Sequence, residues 1–178
     1  MARSVDPTAH GRILYAVLRE SRKRDYLWPS PEAVLAEYQR LFHGSPASLQ
    51  ALQQRLYRLR TSHPGLSYTT PNGTTYFDVE RTVTDPTTAN LALCVLEEHR
   101  RLGGPVPLER ALELAESLKI PAERAKLLLR TLMTDEVKYL SLMLHNRVAP
   151  TKRLLVESEY LRLLRSQALA PHPVEVVF

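Results

Sequence analysis

Three proline-led helix starts occur twice in this sequence, in the same order and at nearly constant separation. Asp6-Pro7-Thr8 returns as Asp85-Pro86-Thr87, Ser30-Pro31-Glu32 as Val106-Pro107-Leu108, and Ser45-Pro46-Ala47 as Ile120-Pro121-Ala122, at offsets of 75 to 79 residues. Proline suits the first position of a helix, where its missing N–H has no acceptor to lose, and an Asp or Ser ahead of it can cap the helix. Helix starts repeated in order predict a duplicated structural unit, although residue identity between the halves is otherwise slight. A chain of 178 residues with 44% hydrophobic content supplies two small cores. The boundary predicted at Asp85-Pro86 gives one domain over 1–84 and a second over 85–178.

In the first half, Ile13, Leu14, Val17 and Leu18 recur at helical period between Asp6 and Glu20. Val34, Leu35, Tyr38, Leu41 and Phe42 do the same after Ser30. Between them Tyr26-Leu27-Trp28, stopped by Pro29, predicts a short edge strand. A third helix over 46–62 carries Leu49, Leu52, Leu56 and Leu59 and is stopped by His63-Pro64-Gly65. The period then changes. Leu66 to Thr70 and Thr74 to Val79 are rich in Thr and Tyr and flank Pro71-Asn72-Gly73, which predicts a hairpin over 66–80.

The second half repeats the plan. Gly103 to Pro107 would be the turn and short strand, Leu108 to Leu118 the second helix and Pro121 to Met133 the third. Val137 to Leu144 and Arg153 to Glu157 are expected to pair as the hairpin, joined through His145 to Lys152. The first of these runs, apolar without clean alternation, also fits a helix, but Thr134-Asp135-Glu136 interrupts the preceding helix and favours strand. A last helix is expected from the cap Ser158, followed by an extended tail from Ala170 to Phe178.

This order of helix, short strand, helix, helix and hairpin resembles the winged-helix superfamily, on element order, the proline-led third helix and the Pro71-Asn72-Gly73 turn, with no family-specific motif. The fold class expected is mainly α with small β-hairpins (α+β), as two winged helix-turn-helix domains in tandem. The resemblance implies that the third helix enters the major groove of duplex DNA and that the hairpin, the wing, contacts backbone or a minor groove. With Leu49, Leu52, Leu56 and Leu59 inward, the outward face holds Ala47, Ser48, Gln50, Ala51, Gln54, Arg58 and Thr61, flanked by Arg55 and Tyr57, with no carboxylate. Gln and Arg are the side chains that read adenine and guanine edges bidentately. Arg22, Lys23 and Arg24 form a cluster suited either to phosphates or to the negative end of their own helix. Thr70, Asn72, Gly73 and Thr74 are the wing residues placed to meet backbone.

Charge divides in the same sense. Residues 1–84 hold eleven Lys and Arg against seven Asp and Glu, a balance of +4 out of the whole chain's +5, while residues 85–178 hold thirteen against twelve. The outward face of the second unit's third helix carries Glu123, Lys126, Leu127, Arg130 and Thr134, a carboxylate and a large apolar group that suit a protein partner better than DNA. The expected protein interface is therefore Leu127, Arg130, Leu161, Leu164, Val176 and Phe178, with Leu163 beside them, and the expected assembly is a homodimer joined through the C-terminal half.

No cofactor, metal or small-molecule ligand is expected. The six histidines lack ligand spacing, no phosphate-cradling glycine loop occurs, and Cys94 sits in the apolar run Leu91 to Leu96 as an inert core thiol. No stretch long enough to span a bilayer and no secretion signal is present, so a cytoplasmic, nucleoid-associated place is expected. The function expected is a non-enzymatic, double-stranded DNA-binding regulator of transcription, replication or segregation. The alternative is a tandem winged-helix interaction subunit of a larger chromosome or replication complex.

Overall fold

The structure, a computed structural model, describes residues 7–24, 30–42, 50–52, 54, 67–69, 75–77, 83 and 85–169. The chain divides into two compact units, 1–82 with 171–178, and 83–170. The described elements are mainly helical, with two small antiparallel sheets.

In the first unit α1 spans Pro7–Arg24 and α2 spans Pro31–Phe42, and the two pack together. Ile13, Leu14, Val17 and Leu18 are buried as their spacing requires, and Tyr15, Ala16, Arg19 and Glu20 are buried as well, so α1 is enclosed on more than one face. The start of α2 is fixed by Ser30, whose Oγ accepts from the Ala33 amide at 3.3 Å and whose carbonyl accepts from Val34 at 3.0 Å. Val34 and Tyr38 are buried, and the Tyr38 and Phe42 rings meet at 5.0 Å between centroids. Residues 50–52 and 54 are helical. Strands β1 (Ser67–Thr69) and β2 (Thr75–Phe77) pair antiparallel with Tyr68 opposite Tyr76. The expected strand Tyr26 to Trp28, the ends of the third helix and the tail from Ala170 lie outside the described residues.

The second unit begins at α3, Pro86–Leu102. The Asp85 carboxylate caps it, accepting from the Thr88 amide at 3.2 Å and the Thr88 hydroxyl at 2.8 Å. Gly103 ends it in the left-handed region at φ 72°, its amide donating to the His99 carbonyl at 2.9 Å. Then follow β3 (Val106–Pro107), α4 (Leu108–Ser117), α5 (Ala122–Leu132), β4 (Leu140–Met143), β5 (Arg147–Pro150) and α6 (Lys152–Leu169). The three strands form one antiparallel sheet in the order β3-β5-β4, Val106 facing Val148 and Leu142 facing Val148 from the other side. The core holds Leu91, Val95 and Leu96 of α3, Leu128, Leu129 and Leu132 of α5, and Leu154, Tyr160, Leu161 and Leu164 of α6. The Tyr160 hydroxyl closes the unit on itself by donating to the Val83 carbonyl at 2.6 Å.

Two expectations are corrected here. The second hairpin strand is Arg147–Pro150, not Arg153 to Glu157, and the turn is the three residues Leu144 to Asn146, with His145 and Asn146 at φ 61° and 52°. Arg153 to Glu157 are instead helical, because α6 starts at Lys152 rather than Ser158. Thr151 begins it, its carbonyl accepting from Leu155 at 3.3 Å and its hydroxyl from Leu154 at 3.4 Å.

Candidate functional site

In the first unit the candidate DNA-facing helix is described at four positions. Leu52 is fully buried while Gln50 and Gln54 are exposed, the phase expected of a helix with its leucines inward. Ser48, Arg55, Tyr57, Arg58 and Thr61 lie outside the described residues, as do the wing residues Thr70, Asn72, Gly73 and Thr74, although β1 and β2 flank that turn.

Of the cluster at the end of α1, Lys23 is engaged within its own unit. Its ammonium lies 2.9 Å from the Glu37 carboxylate and 3.8 Å from Glu20. The Glu37 side chain, 1% exposed, also takes hydrogen bonds from Arg40, one of them from Nε at 3.1 Å. Burial pushes the Glu37 carboxyl up, yet the hydrogen bonds from Arg40 and then Lys23 outweigh it and hold the group below its usual value. Arg22 and Arg24 occupy the last turn of α1, and their side chains are not among those described. Local spacing gives no sign of the Lys23–Glu37 pair, which spans 14 residues and two helices.

The second unit presents a different surface. On α5, Ala125, Leu128, Leu129 and Leu132 face inward, and Glu123, Lys126, Leu127 and Arg130 are exposed, Leu127 by 58%. Leu161 and Leu164 depart from expectation. Both are fully buried by the packing of α6 within the unit, chiefly beside α3, and are not available to a partner. Val176 and Phe178 lie outside the described residues.

What sequence reasoning missed is the exposure of the hairpin's end. Leu142, Met143 and Leu144 are exposed by 60%, 45% and 83%. A half-buried strand alternates covered and open side chains, but here two successive residues of β4 and the first turn residue are all open. The end of the hairpin thus projects past the sheet's covered face. Beside it, the amide of Leu108 at the start of α4 donates to the Asn146 carbonyl at 2.8 Å, tying the turn to the head of that helix. A groove of about 490 Å³ lies between α4 and α5, floored by Leu112, Ile120 and Ala125 and edged by Glu109, Glu113 and Glu116. Lys119 and Lys126 also line it, Lys126 lying 3.8 Å from Glu123.

Two ion-pair networks support this surface from below. Glu98, buried on α3, is bonded by Arg101 and by Arg110 of α4 at 3.1 Å, and these partners, Arg101 first, hold its carboxyl below the usual range. Glu157, wholly buried on α6, accepts from the Tyr139 hydroxyl at 2.6 Å and from Arg153 Nε at 2.6 Å. The same guanidinium donates to the carbonyls of Glu136 and Val137, fixing the segment that leads into β4.

Cys94 is half-buried, and burial pushes its thiol up, away from the nucleophilic thiolate form. Among the described residues no group of three or more His, Cys, Asp and Glu is arranged to hold a metal ion, and no helix is long and apolar enough to cross a membrane. Comparison with protein-family models, with curated proteins and with solved structures gives no match to this chain.

Proposed function

We propose that this chain is a duplex DNA-binding protein made of two winged-helix units, in which the first unit contacts DNA and the second contacts protein. The observation that carries the reading is the contrast between their outward surfaces. In the first unit Gln50 and Gln54 are exposed and helical, and the sequence around them, 46–62, holds three arginines and no carboxylate, in the half that holds +4 of the charge. In the second unit the corresponding helix presents Glu123 and Leu127 among Arg124, Lys126 and Arg130, the preceding helix presents Glu109, Glu113 and Glu116, and the hairpin end Leu142–Leu144 is apolar. Carboxylates along a docking face repel phosphate, and phosphate contacts supply most of the affinity of such modules.

The winged-helix reading itself is supported by the order α3, β3, α4, α5, β4, β5, with the short strand joined to the second strand of the hairpin. The first unit has α1, α2, helical residues near 50 and a hairpin in the same order. A role in transcription, replication or segregation, in the cytoplasm or on the nucleoid, follows from DNA binding as a class. The second reading, an interaction subunit of a chromosome or replication complex, is favoured by the apolar wing.

The test is fluorescence anisotropy of the full chain on random duplex over a salt series. Binding that weakens steeply with salt, and a slope reduced by about one for each of Arg22 and Arg24 replaced by alanine, is the expected result. Gln54→Ala with Arg58→Ala should remove sequence preference, at about 1–3 kcal/mol for each bidentate base pairing removed. Absence of duplex binding at low salt by a folded chain overturns the DNA reading and leaves the interaction subunit.

A further inference from the structure

We propose that the second unit self-associates about a two-fold axis, the wing tip Leu142–Leu144 of each copy seating in the α4–α5 groove of the other. This names the partner and the contact of the association unit proposed above, and rests on that reading.

Four features of the second unit point to a second copy as the occupant. The tip offers consecutive large apolar side chains with no charge among them, and the groove offers an open apolar floor of Leu112, Ile120 and Ala125. The charges around these two surfaces are opposite. Arg147, exposed at the foot of the tip, is the one Lys, Arg, Asp or Glu between Leu140 and Pro150, whereas the lining of the groove carries Glu109, Glu113 and Glu116 against Lys119 and Lys126, a net negative charge.

The two surfaces are also adjacent. Asn146 of the turn is bonded to Leu108, the residue before the groove-lining Glu109. Donor and acceptor on one continuous face is the condition for an isologous contact, in which tip meets groove and groove meets tip under a single rotation. Lastly, one insertion of three side chains falls well short of the roughly 1,200–2,000 Å² that a stable interface buries. The two-fold arrangement repeats every contact and adds the surface between the insertions, so it is favoured over a single docking.

The experiment is sedimentation velocity of the full-length chain over a concentration series, with circular dichroism to show that each variant is folded. Wild type is expected to dimerise. Leu144→Asp, which leaves the groove intact, and Ala122→Arg, at an exposed residue that lines the groove, which blocks it and leaves the tip intact, should each weaken the dimer at least tenfold.

Mixed in equal amounts, these two variants regain one complete contact, the tip of the Ala122→Arg chain in the groove of the Leu144→Asp chain. A heterodimer forming more tightly than either variant with itself is expected. Arg147→Glu should likewise weaken association and Glu113→Arg restore it. A dimer indifferent to Leu144→Asp and Ala122→Arg, or folded variants that fail to associate when mixed, overturns the tip-in-groove contact while leaving an association unit in place. A monomeric wild-type chain at about 100 μM overturns both. Loss of duplex binding by Leu144→Asp in a chain that is monomeric throughout assigns the tip to DNA and refutes the proposal.

Discussion

Replacing Arg153 by alanine removes the cation beside a wholly buried carboxylate and tests how the second unit holds the segment that leads into its hairpin. Glu157 is fully enclosed, and the hydroxyl of the buried Tyr139 donates to it at 2.6 Å. Burial, and then the charge of Glu157, push the Tyr139 phenol well above its usual range, so it remains a neutral donor and supplies no compensating charge. Removing one member of a buried pair costs about 3–5 kcal/mol, because the charge left behind stays desolvated with no opposite charge to compensate it. The Arg153 side chain is 20% exposed, which lets solvent enter the vacated space and places the expected loss near the lower end, about 3 kcal/mol. At about 4–8 °C per kcal/mol for a unit of this size, the corresponding fall in melting temperature is roughly 12–24 °C. Urea denaturation followed by circular dichroism gives the free energy, and hydrogen exchange across residues 136–160 shows where protection is lost. On a Glu157→Gln background, where the carboxylate charge is gone, Arg153→Ala should cost far less than it does alone. A loss under 1 kcal/mol for Arg153→Ala, or equal losses in the two backgrounds, would refute the argument that the pair acts as a compensated buried charge.

The Glu37 carboxyl, whose folded pKa is depressed by Arg40 and Lys23 against the opposing effect of burial, stabilises the first unit fully above the unfolded carboxylate range near ~4.3 and loses that contribution as pH falls through its folded value. Acid titration followed by fluorescence of Trp28, the single tryptophan, should therefore show a weaker pH dependence for Glu37→Gln, and an unchanged profile would count against the assignment. Asp85→Ala removes the α3 cap and should cost about 1 kcal/mol in thermal denaturation, with Asp85→Asn nearly neutral. Gly103→Ala meets no atom within 4 Å of the added Cβ, so its cost, on the order of 1–2 kcal/mol, should come from the left-handed backbone alone. A similar substitution at Gly104, which lies outside the left-handed region and has equally open space, should cost less.

Helix starts were legible because their punctuation is local. Pro7, Pro31 and Pro86 each stand first in a helix, with Ser30 and Asp85 capping the latter two, and Pro107 and Pro121 stand one residue ahead of theirs. Strand β5 was not legible because nothing within Arg147-Val148-Ala149-Pro150 marks it. Its strand character comes from two neighbours, β3 and β4, and Pro150 is tolerated at its end, beyond the register shared with the two-residue β3. The true start of α6 did leave a trace, since Arg153 and Glu157 stand at the i, i+4 spacing of a helical ion pair. Apolar periodicity says that a residue is covered without saying by what. Leu161 and Leu164 are covered within their own unit, while Leu142 and Leu144, which look equally suited to a core, are open.

A deeper correspondence between the units lies in their buried charges. Glu20 on α1 and Glu98 on α3 stand 78 residues apart, both buried, and each has a cation three residues later, Lys23 at 3.8 Å in one case and Arg101 in the other. Each unit then ties its first helix to its second with a further ion pair, Lys23 to Glu37 at 2.9 Å and Arg110 to Glu98 at 3.1 Å, but with the polarity reversed. A buried carboxylate is costly to desolvate and adds little net stability, so two independent helix pairs have no energetic reason to share the arrangement. Recurrence at 78 residues, within the 75 to 79 spread of the proline-led starts, favours descent from one plan. Reversal of polarity is tolerated because the pair fixes the relation of the two helices whichever member is the acid. With that relation held from inside, outward residues can diverge without disturbing the packing beneath them. That freedom is what the proposed division between a DNA-contacting unit and a protein-contacting unit requires.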